Sequence, residues 1–176
     1  ATNPVAEPER RRLVNVFCTF IASNEHLRGV IRLHPSESLS FYSQERQNYP
    51  EILFQLNTEM PMEEAIHSAD VVLCHNSGFG LEAMARNTPI VVMDVINYEL
   101  KSAADYIQYA DCCVAKSLDE LDFAISRLID DTLFYQEKCE AGKRYVEQVF
   151  SCTGTRAVSC VLDEIERIVN DADRAV

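Results

Sequence analysis

The stretch DVVLCHNSGFGLEAMARNTPIVVMD, residues 70–94, contains the local pattern that decides the fold. An apolar run ends at Asn76, a serine and two glycines follow, a helix-like segment ends at Asn87, and a second apolar run comes next. This order predicts strand, turn, helix and strand. The chain has only 5 glycines, and two of them, Gly78 and Gly80, lie in this one turn.

Short apolar runs alternate with helix-like segments along most of the chain. Five of them predict strands, at Gly29–Pro35, Ile52–Leu56, Asp70–Asn76, Pro89–Val95 and Asp111–Lys116. They are apolar throughout, which is typical of a parallel sheet that is covered on both faces. We therefore expect an α/β fold: a Rossmann-like parallel sheet of about five strands with helices on both faces and the C-terminal helices packed alongside.

Composition excludes several classes of protein. The chain has 28 acidic and 16 basic residues and a net charge of −12. A surface this acidic repels phosphate backbones, which argues against a general nucleic-acid binder. Its seven cysteines are scattered without metal-ligand spacing, so we expect no metal and reduced, buried thiols in a cytoplasmic protein. Residues 1–10 are rich in proline and charge and are interpreted as a linker, and residues 11–176 as one domain.

The serine and glycines at the start of the predicted helix suggest an anion site. The first N–H groups of a helix have no partner within it and carry the positive end of its dipole. Ser77 can cap the helix or bind an anion, Gly78 allows close approach to the backbone, and Asn76 and Phe79 flank them. The alternative is a tight strand-to-helix turn with a serine cap.

Three further side chains belong to the same predicted site. His34 ends a strand before Pro35, and Arg32 shares its face, so the two cations would suit a diphosphate. Glu82 lies about one and a half turns into the helix, where a carboxylate can accept hydrogen bonds from ribose hydroxyls. The alternatives are an exposed or packed imidazole for His34 and a solvent-facing glutamate for Glu82.

Three segments, RLHP (32–35), the stretch from Glu64 to Asp94, and AKSLDELDFAISRLIDD (115–131), together resemble one family. They are similar to the C-terminal, donor-binding half of glycosyltransferases of the two-Rossmann-domain (GT-B) architecture, most of all bacterial capsule and surface-polysaccharide transferases. The resemblance covers about residues 10–130. It is shared by the non-hydrolysing UDP-N-acetylglucosamine 2-epimerases, although Asn76, Phe79 and Ala83 depart from the epimerase pattern.

The resemblance implies a role for each candidate residue. His34 would contact the phosphates or sugar of the donor and is the most catalytic-looking residue, Ser77 and Gly78 would bind the phosphates, and Glu82 would hold the ribose hydroxyls. Arg32, Asn76 and Phe79 complete the implied substrate-binding set. The donor would be a UDP- or CMP-linked sugar, with no metal or other cofactor. A non-catalytic module that senses a nucleotide or mediates assembly remains the alternative from another class.

The resemblance also implies missing parts. In this architecture a strand precedes the first helix in the middle of the sheet, and no such strand is evident before Leu13. An N-terminal acceptor-binding domain is missing too, so we expect a fragment that is inactive alone, of an enzyme with peripheral membrane association. The apolar face of the last helix would then be exposed or buried in a homodimer; it comprises Val158, Val161, Leu162, Ile165 and Ile168.

Overall fold

The computed structural model describes residues 7–56, 58–75, 77–95, 107, 109–150 and 155–173. The strands are β1 (Val30–Arg32), β2 (Leu53–Gln55), β3 (Val72–Cys74), β4 (Ile90–Met93) and β5 (Cys113–Ala115). The helices with described bounds are α1 (Glu7–Ala22), α2 (Ser43–Asn48), α3 (Met62–His67), α4 (Gly78–Ala85), α5 (Leu118–Asp130), α6 (Thr132–Val149) and α7 (Thr155–Asp173), and a 3₁₀ turn covers Leu39–Tyr42.

The strands form two parallel sheets. Sheet A has the order β1-β2, and sheet B has the order β3-β4-β5. The predicted α/β class with parallel strands is confirmed, and each of the five apolar runs contains one strand. Neither sheet has the predicted five strands, because no ladder among the described residues joins β1 to β3.

Local sequence signals explain where the central helix begins and ends. The Ser77 hydroxyl oxygen accepts a hydrogen bond from the Phe79 N–H at 3.2 Å, which caps α4 at its first turn. After α4, Asn87 adopts a φ of 65°, a left-handed conformation that asparagine tolerates better than most residues. β4 follows directly and is buried along its whole length, as expected for a central strand.

Two apolar cores lie on opposite faces of the strands. The first, called here the shared core, joins sheet A to sheet B, because it contains Leu33 and Phe54 together with Val91 and Ala115. Helices α1 and α5 cover it, with residues such as Cys18, Ile21, Leu121 and Leu128. The second core lies on sheet B only and is covered by α3, α4 and α6, through Ile66, Met84 and Tyr145.

The two ends of the chain differ from the sequence-based expectations. Helix α1 begins at Glu7, so it overlaps the predicted linker 1–10; residues 1–6 lie outside the described part. The predicted packing of the C-terminal helices holds for α6, whereas the apolar residues of α7 are 51–64% exposed. Among the described residues, no helix has the length and apolar character needed to cross a membrane.

The cysteines follow the prediction in part. Five of them are free, and three of these (Cys18, Cys74 and Cys139) are buried. Cys160 on α7 is disulfide-bonded, which corrects the expectation of reduced thiols throughout. Burial raises the pKa of four of these thiols, for example that of Cys112 to about 11, which keeps them protonated at neutral pH; they are Cys18, Cys112, Cys113 and Cys139.

Candidate functional site

The predicted site brings together the end of β1 and the start of α4. The guanidinium carbon of Arg32 lies 5.8 Å from the centre of the Phe79 ring, a distance compatible with a cation–π contact. Arg32 is the last residue of β1, and Phe79 is in the first turn of α4. Two residues that are 47 positions apart in the sequence therefore meet at the carboxyl edge of the strands, where open α/β sheets bind ligands.

The first turn of α4 has room beside it. Among the described residues, a β-carbon added at Gly78 would meet no atom beyond its own helix turn within 4 Å, so their packing does not require glycine there. Gly80, by contrast, is buried inside the helix. The N–H groups of this turn point toward the carboxyl edge, and the open space beside Gly78 would let a ligand approach them. Ser77 already serves as the cap, so its hydroxyl oxygen is occupied by the Phe79 N–H.

His34 lies exposed just beyond β1, and its ring is oriented by the residues that follow it. Its Nδ1 accepts a hydrogen bond from the Ser36 N–H at 3.2 Å and lies 2.8 Å from the Ser36 hydroxyl. Because Nδ1 accepts, a neutral ring carries its proton on Nε2. The imidazole therefore presents an N–H donor on the side away from Ser36.

Glu37 holds the segment after β1 in place and was not among the predicted site residues. Its carboxylate accepts hydrogen bonds from the His34 N–H (2.8 Å), the Tyr42 hydroxyl (2.7 Å) and the Arg10 guanidinium (3.1 Å). Burial, and then the bond to Glu37, raise the pKa of Tyr42. The sequence carried only a weak signal for this role. An acidic residue that follows His34, Pro35 and Ser36 can accept hydrogen bonds from nearby N–H groups, but its position does not predict the contacts to Tyr42 and Arg10.

Glu82 is engaged along its own helix. Its carboxylate pairs with the guanidinium of Arg86, one turn later on α4, and its side chain is 43% exposed. This arrangement matches the alternative of a solvent-facing glutamate. To bind a ribose hydroxyl, the Glu82 carboxylate would have to break its ion pair with Arg86 or contact both groups at once.

Polar residues also follow β3, β4 and β5 at the same carboxyl edge. His75 is buried, and its Nδ1 lies 2.7 Å from the carbonyl oxygen of Met93. Asp94 follows β4; its N–H donates to the Ala115 carbonyl at 2.8 Å, and its buried Oδ1 has no hydrogen-bond partner among the described residues. Lys116 and Ser117 serve the cap of α5, through Glu120.

One predicted site residue, Asn76, falls outside the described residues. Within the described ranges, no group of three or more histidine, cysteine, aspartate or glutamate side chains could hold a metal ion. A shallow surface hollow lies at the opposite end of α4 from Ser77, where it is lined by Pro61, Glu63, Glu64, His67 and Arg86.

The arrangement can bind an anion through a helix N-terminus, the Arg32 guanidinium and the His34 imidazole. No protein-family model, curated protein or solved structure matches this chain.

Proposed function

We propose that this chain is the donor-binding domain of a GT-B-type glycosyltransferase, which moves a sugar from a nucleotide-activated donor to a glycan or polysaccharide acceptor. One observation carries the proposal: the first turn of α4, which is open at Gly78, holds Phe79 with its ring centre 5.8 Å from the Arg32 guanidinium carbon, at the carboxyl edge of parallel strands. A diphosphate needs such a combination of backbone N–H groups and a guanidinium.

The proposed chemistry at this site is stabilisation of a leaving group. When the bond between sugar and diphosphate breaks, negative charge develops on the diphosphate oxygens. The N–H group of Gly78, the Arg32 guanidinium and the Nε2–H of His34 would donate to those oxygens. An acceptor and a catalytic base would come from the acceptor-binding domain of the parent enzyme, so this domain alone should bind a donor without turning it over.

The first test is calorimetric titration of the chain with UDP, CDP, CMP and GDP in the absence of metal. We expect one of these nucleotides to bind in the micromolar to millimolar range, which would also identify the base. Failure of all four to bind at millimolar concentration would contradict the proposal.

Variants at Ser77 and Gly78 test the location. Ser117 is a matched control for Ser77, because both hydroxyls cap a helix by accepting from a backbone N–H at 3.2 Å. Ser77→Ala and Ser117→Ala should each lower stability by about 1 kcal/mol. Only Ser77→Ala should also weaken nucleotide binding, by roughly tenfold.

Gly78→Ala separates binding from stability more sharply. The added methyl group enters open space and replaces glycine in a helix, so the free energy of unfolding should stay the same or rise by up to ~1 kcal/mol. Nucleotide affinity should fall, because the same methyl group occupies the proposed ligand position. Unchanged affinity in both Gly78→Ala and Ser77→Ala would place the nucleotide elsewhere.

The pairing of Glu82 with Arg86 favours a second candidate, a non-catalytic module that lacks a ribose contact. Glu82→Gln distinguishes the two. In a donor-binding domain it should weaken binding of nucleoside diphosphates more than binding of free pyrophosphate. Equal effects on both ligands, or none, would favour the second candidate.

A further inference from the structure

One face of sheet A is accessible to a ligand. Leu33 and Phe54 point into the shared core, so the residues that alternate with them on β1 and β2 point to the opposite face. Two of these, Val30 and Leu53, are register partners and are 52% and 51% exposed. The second core, on the same side of the strands, contains buried residues of sheet B and none of sheet A. A small molecule can therefore reach this face of sheet A.

Arg32 and Gln55 lie on the same face, at the carboxyl ends of β1 and β2. They are register partners, as Val30 and Leu53 are. The Nε of Arg32 and the Oε1 of Gln55 are both buried, and neither has a hydrogen-bond partner among the described residues. Buried polar atoms without a partner are rare and destabilise a folded chain. Here a donor and an acceptor are left unsatisfied side by side.

The direction of Arg32 explains why these two atoms do not satisfy each other. The guanidinium carbon lies 5.8 Å from the centre of the Phe79 ring, so the side chain extends to α4 and not along the sheet to β2. Exchanging the oxygen and nitrogen positions of the Gln55 amide would not remove the mismatch, because an N–H donor would then be buried beside a guanidinium donor. The mismatch is therefore a property of the site.

A hydroxyl group is the simplest partner for both atoms, because it accepts one hydrogen bond and donates another. An ionised phosphate oxygen only accepts, so it cannot satisfy Gln55. A nucleobase is usually held by stacking on an aromatic ring, and the four side chains that β1 and β2 place on this face include none. A sugar carries hydroxyls beside aliphatic C–H groups, and the latter suit the exposed side chains of Val30 and Leu53.

We infer that Arg32 and Gln55 form a sugar subsite, in which one hydroxyl of the transferred sugar accepts from the Arg32 Nε–H and donates to the Gln55 Oε1. This inference rests on the proposed function, since it assigns a place to the part of the donor beyond the diphosphate. The other N–H groups of the guanidinium stay directed toward α4, so Arg32 contacts both parts of the donor. Entry of the hydroxyl requires the Gln55 amide to rotate about its last torsion, which is a broad one.

Gln55→Met tests the subsite, because methionine has a similar length and lacks the amide acceptor. Calorimetric titrations compare a free nucleotide with its sugar-linked forms, for example UDP with UDP-glucose and UDP-N-acetylglucosamine. The variant should bind the preferred sugar-linked form about tenfold more weakly and the free nucleotide unchanged. Gln136→Met, at an exposed position on α6, is the control and should change neither affinity.

Nucleotide sugars that lack one sugar hydroxyl identify the group that is bound. With the unmodified protein, one deoxy analogue should bind about tenfold more weakly than the parent compound. With Gln55→Met the same analogue should lose little further affinity, because the two changes remove one and the same contact. Losses that multiply independently for every analogue would overturn the inference.

Thermal unfolding without ligand separates binding from folding. The midpoint of Gln55→Met should equal or exceed that of the unmodified protein, since an unsatisfied buried acceptor is removed. A lower midpoint would show that Gln55 serves folding and would overturn the inference.

Two binding results distinguish failure of the subsite from failure of the proposed function. If nucleotides bind but Gln55→Met affects the free and sugar-linked forms equally, or neither of them, the subsite is wrong and the donor-binding proposal stands. If the unmodified protein binds neither nucleotides nor nucleotide sugars at millimolar concentration, both proposals are wrong.

Discussion

Glu37 connects three groups around the end of β1, and its removal tests how firmly the candidate site is held. Glu37→Gln should lower the free energy of unfolding by about 1–3 kcal/mol, because charged, partly buried hydrogen bonds to Arg10 and the His34 N–H are weakened. Urea denaturation measures the loss.

Glu59 provides the matched control for this change. It occupies the equivalent loop after β2, is exposed, and accepts a hydrogen bond from the Leu56 N–H at 2.9 Å. Glu59→Gln should therefore cost less than about 1 kcal/mol. Equal losses in the two variants would show that Glu37 has no special role in holding His34.

Cys18 allows a prediction of pH dependence. Burial, followed by the nearby charges of Glu45 and Glu51, raises its pKa from 9.0 to about 12. Between these two values the unfolded chain loses the thiol proton while the folded chain keeps it, so stability falls as the pH rises. The contribution is full below about pH 9 and should decline by roughly 1–2 kcal/mol by pH 10.5.

Cys18→Ala measures how much of the loss of stability at alkaline pH is due to this thiol. The variant should be less stable at pH 8, because a buried side chain is truncated, but its stability should fall less steeply between pH 9 and 10.5. Unfolding curves at several pH values measure both effects. Identical slopes in the two proteins would assign the alkaline loss to other groups.

Residue-level predictions from the sequence succeeded where the signal was local. The Ser77 cap, one of the two roles that the sequence allowed for this residue, depends on residues only two positions apart, so sequence spacing was sufficient. Glu37 was missed because one of its partners, Arg10, is 27 positions away and is brought near only by packing of α1. No sequence pattern distinguishes a ribose-binding Glu82 from one that pairs with Arg86.

Packing of α4 against α6 depends on a glycine that sequence analysis did not single out. A methyl group at Gly142 would lie 2.8 Å from Cγ and 3.1 Å from Cβ of Met84, which is too close without movement of one helix. Gly142→Ala should therefore destabilise the protein by about 1–3 kcal/mol, although alanine is the better helix former. Thermal or urea unfolding measures the change.

A compensating variant checks the cause. Met84→Ala creates space in the second core and is itself destabilising. Combined with Gly142→Ala, it should cost less than the sum of the two single changes, since the nearest atom, the Met84 Cγ at 2.8 Å, is removed and only the Cβ at 3.1 Å remains. Strict additivity of the two losses would mean that the collision with Met84 is not the reason.

Elements were predictable because they depend on short-range patterns, whereas the pairing of strands was not. Each apolar run became a strand, and the start of α4 follows from its cap. The start of α1 was placed too late because proline was interpreted as a linker signal. Pro8 lies in the first turn of α1, where a helix needs no N–H donor. The division of the strands into two sheets depends on pairing between segments far apart in the sequence, which no local pattern reveals.

At the scale of the whole molecule, the shared core should make the two sheets unfold together. Leu128 is 2% exposed in this core, which contains side chains from both sheets. Leu128→Ala should cost about 2–5 kcal/mol and speed exchange at the ladder amides of Leu53 in sheet A and Val72 in sheet B by ~30-fold or more. Both amides should respond by the same factor, because each is opened by the same global transition.

Ile66 supplies the comparison from the second core, which contacts sheet B only. If the molecule unfolds cooperatively, Ile66→Ala should also speed hydrogen exchange at both amides by the same factor, even though Ile66 belongs to the second core and not to the shared core. Acceleration at Val72 alone would show that sheet A and sheet B are separate folding units. The shared core under α1 and α5 would then join the two sheets without coupling their stability.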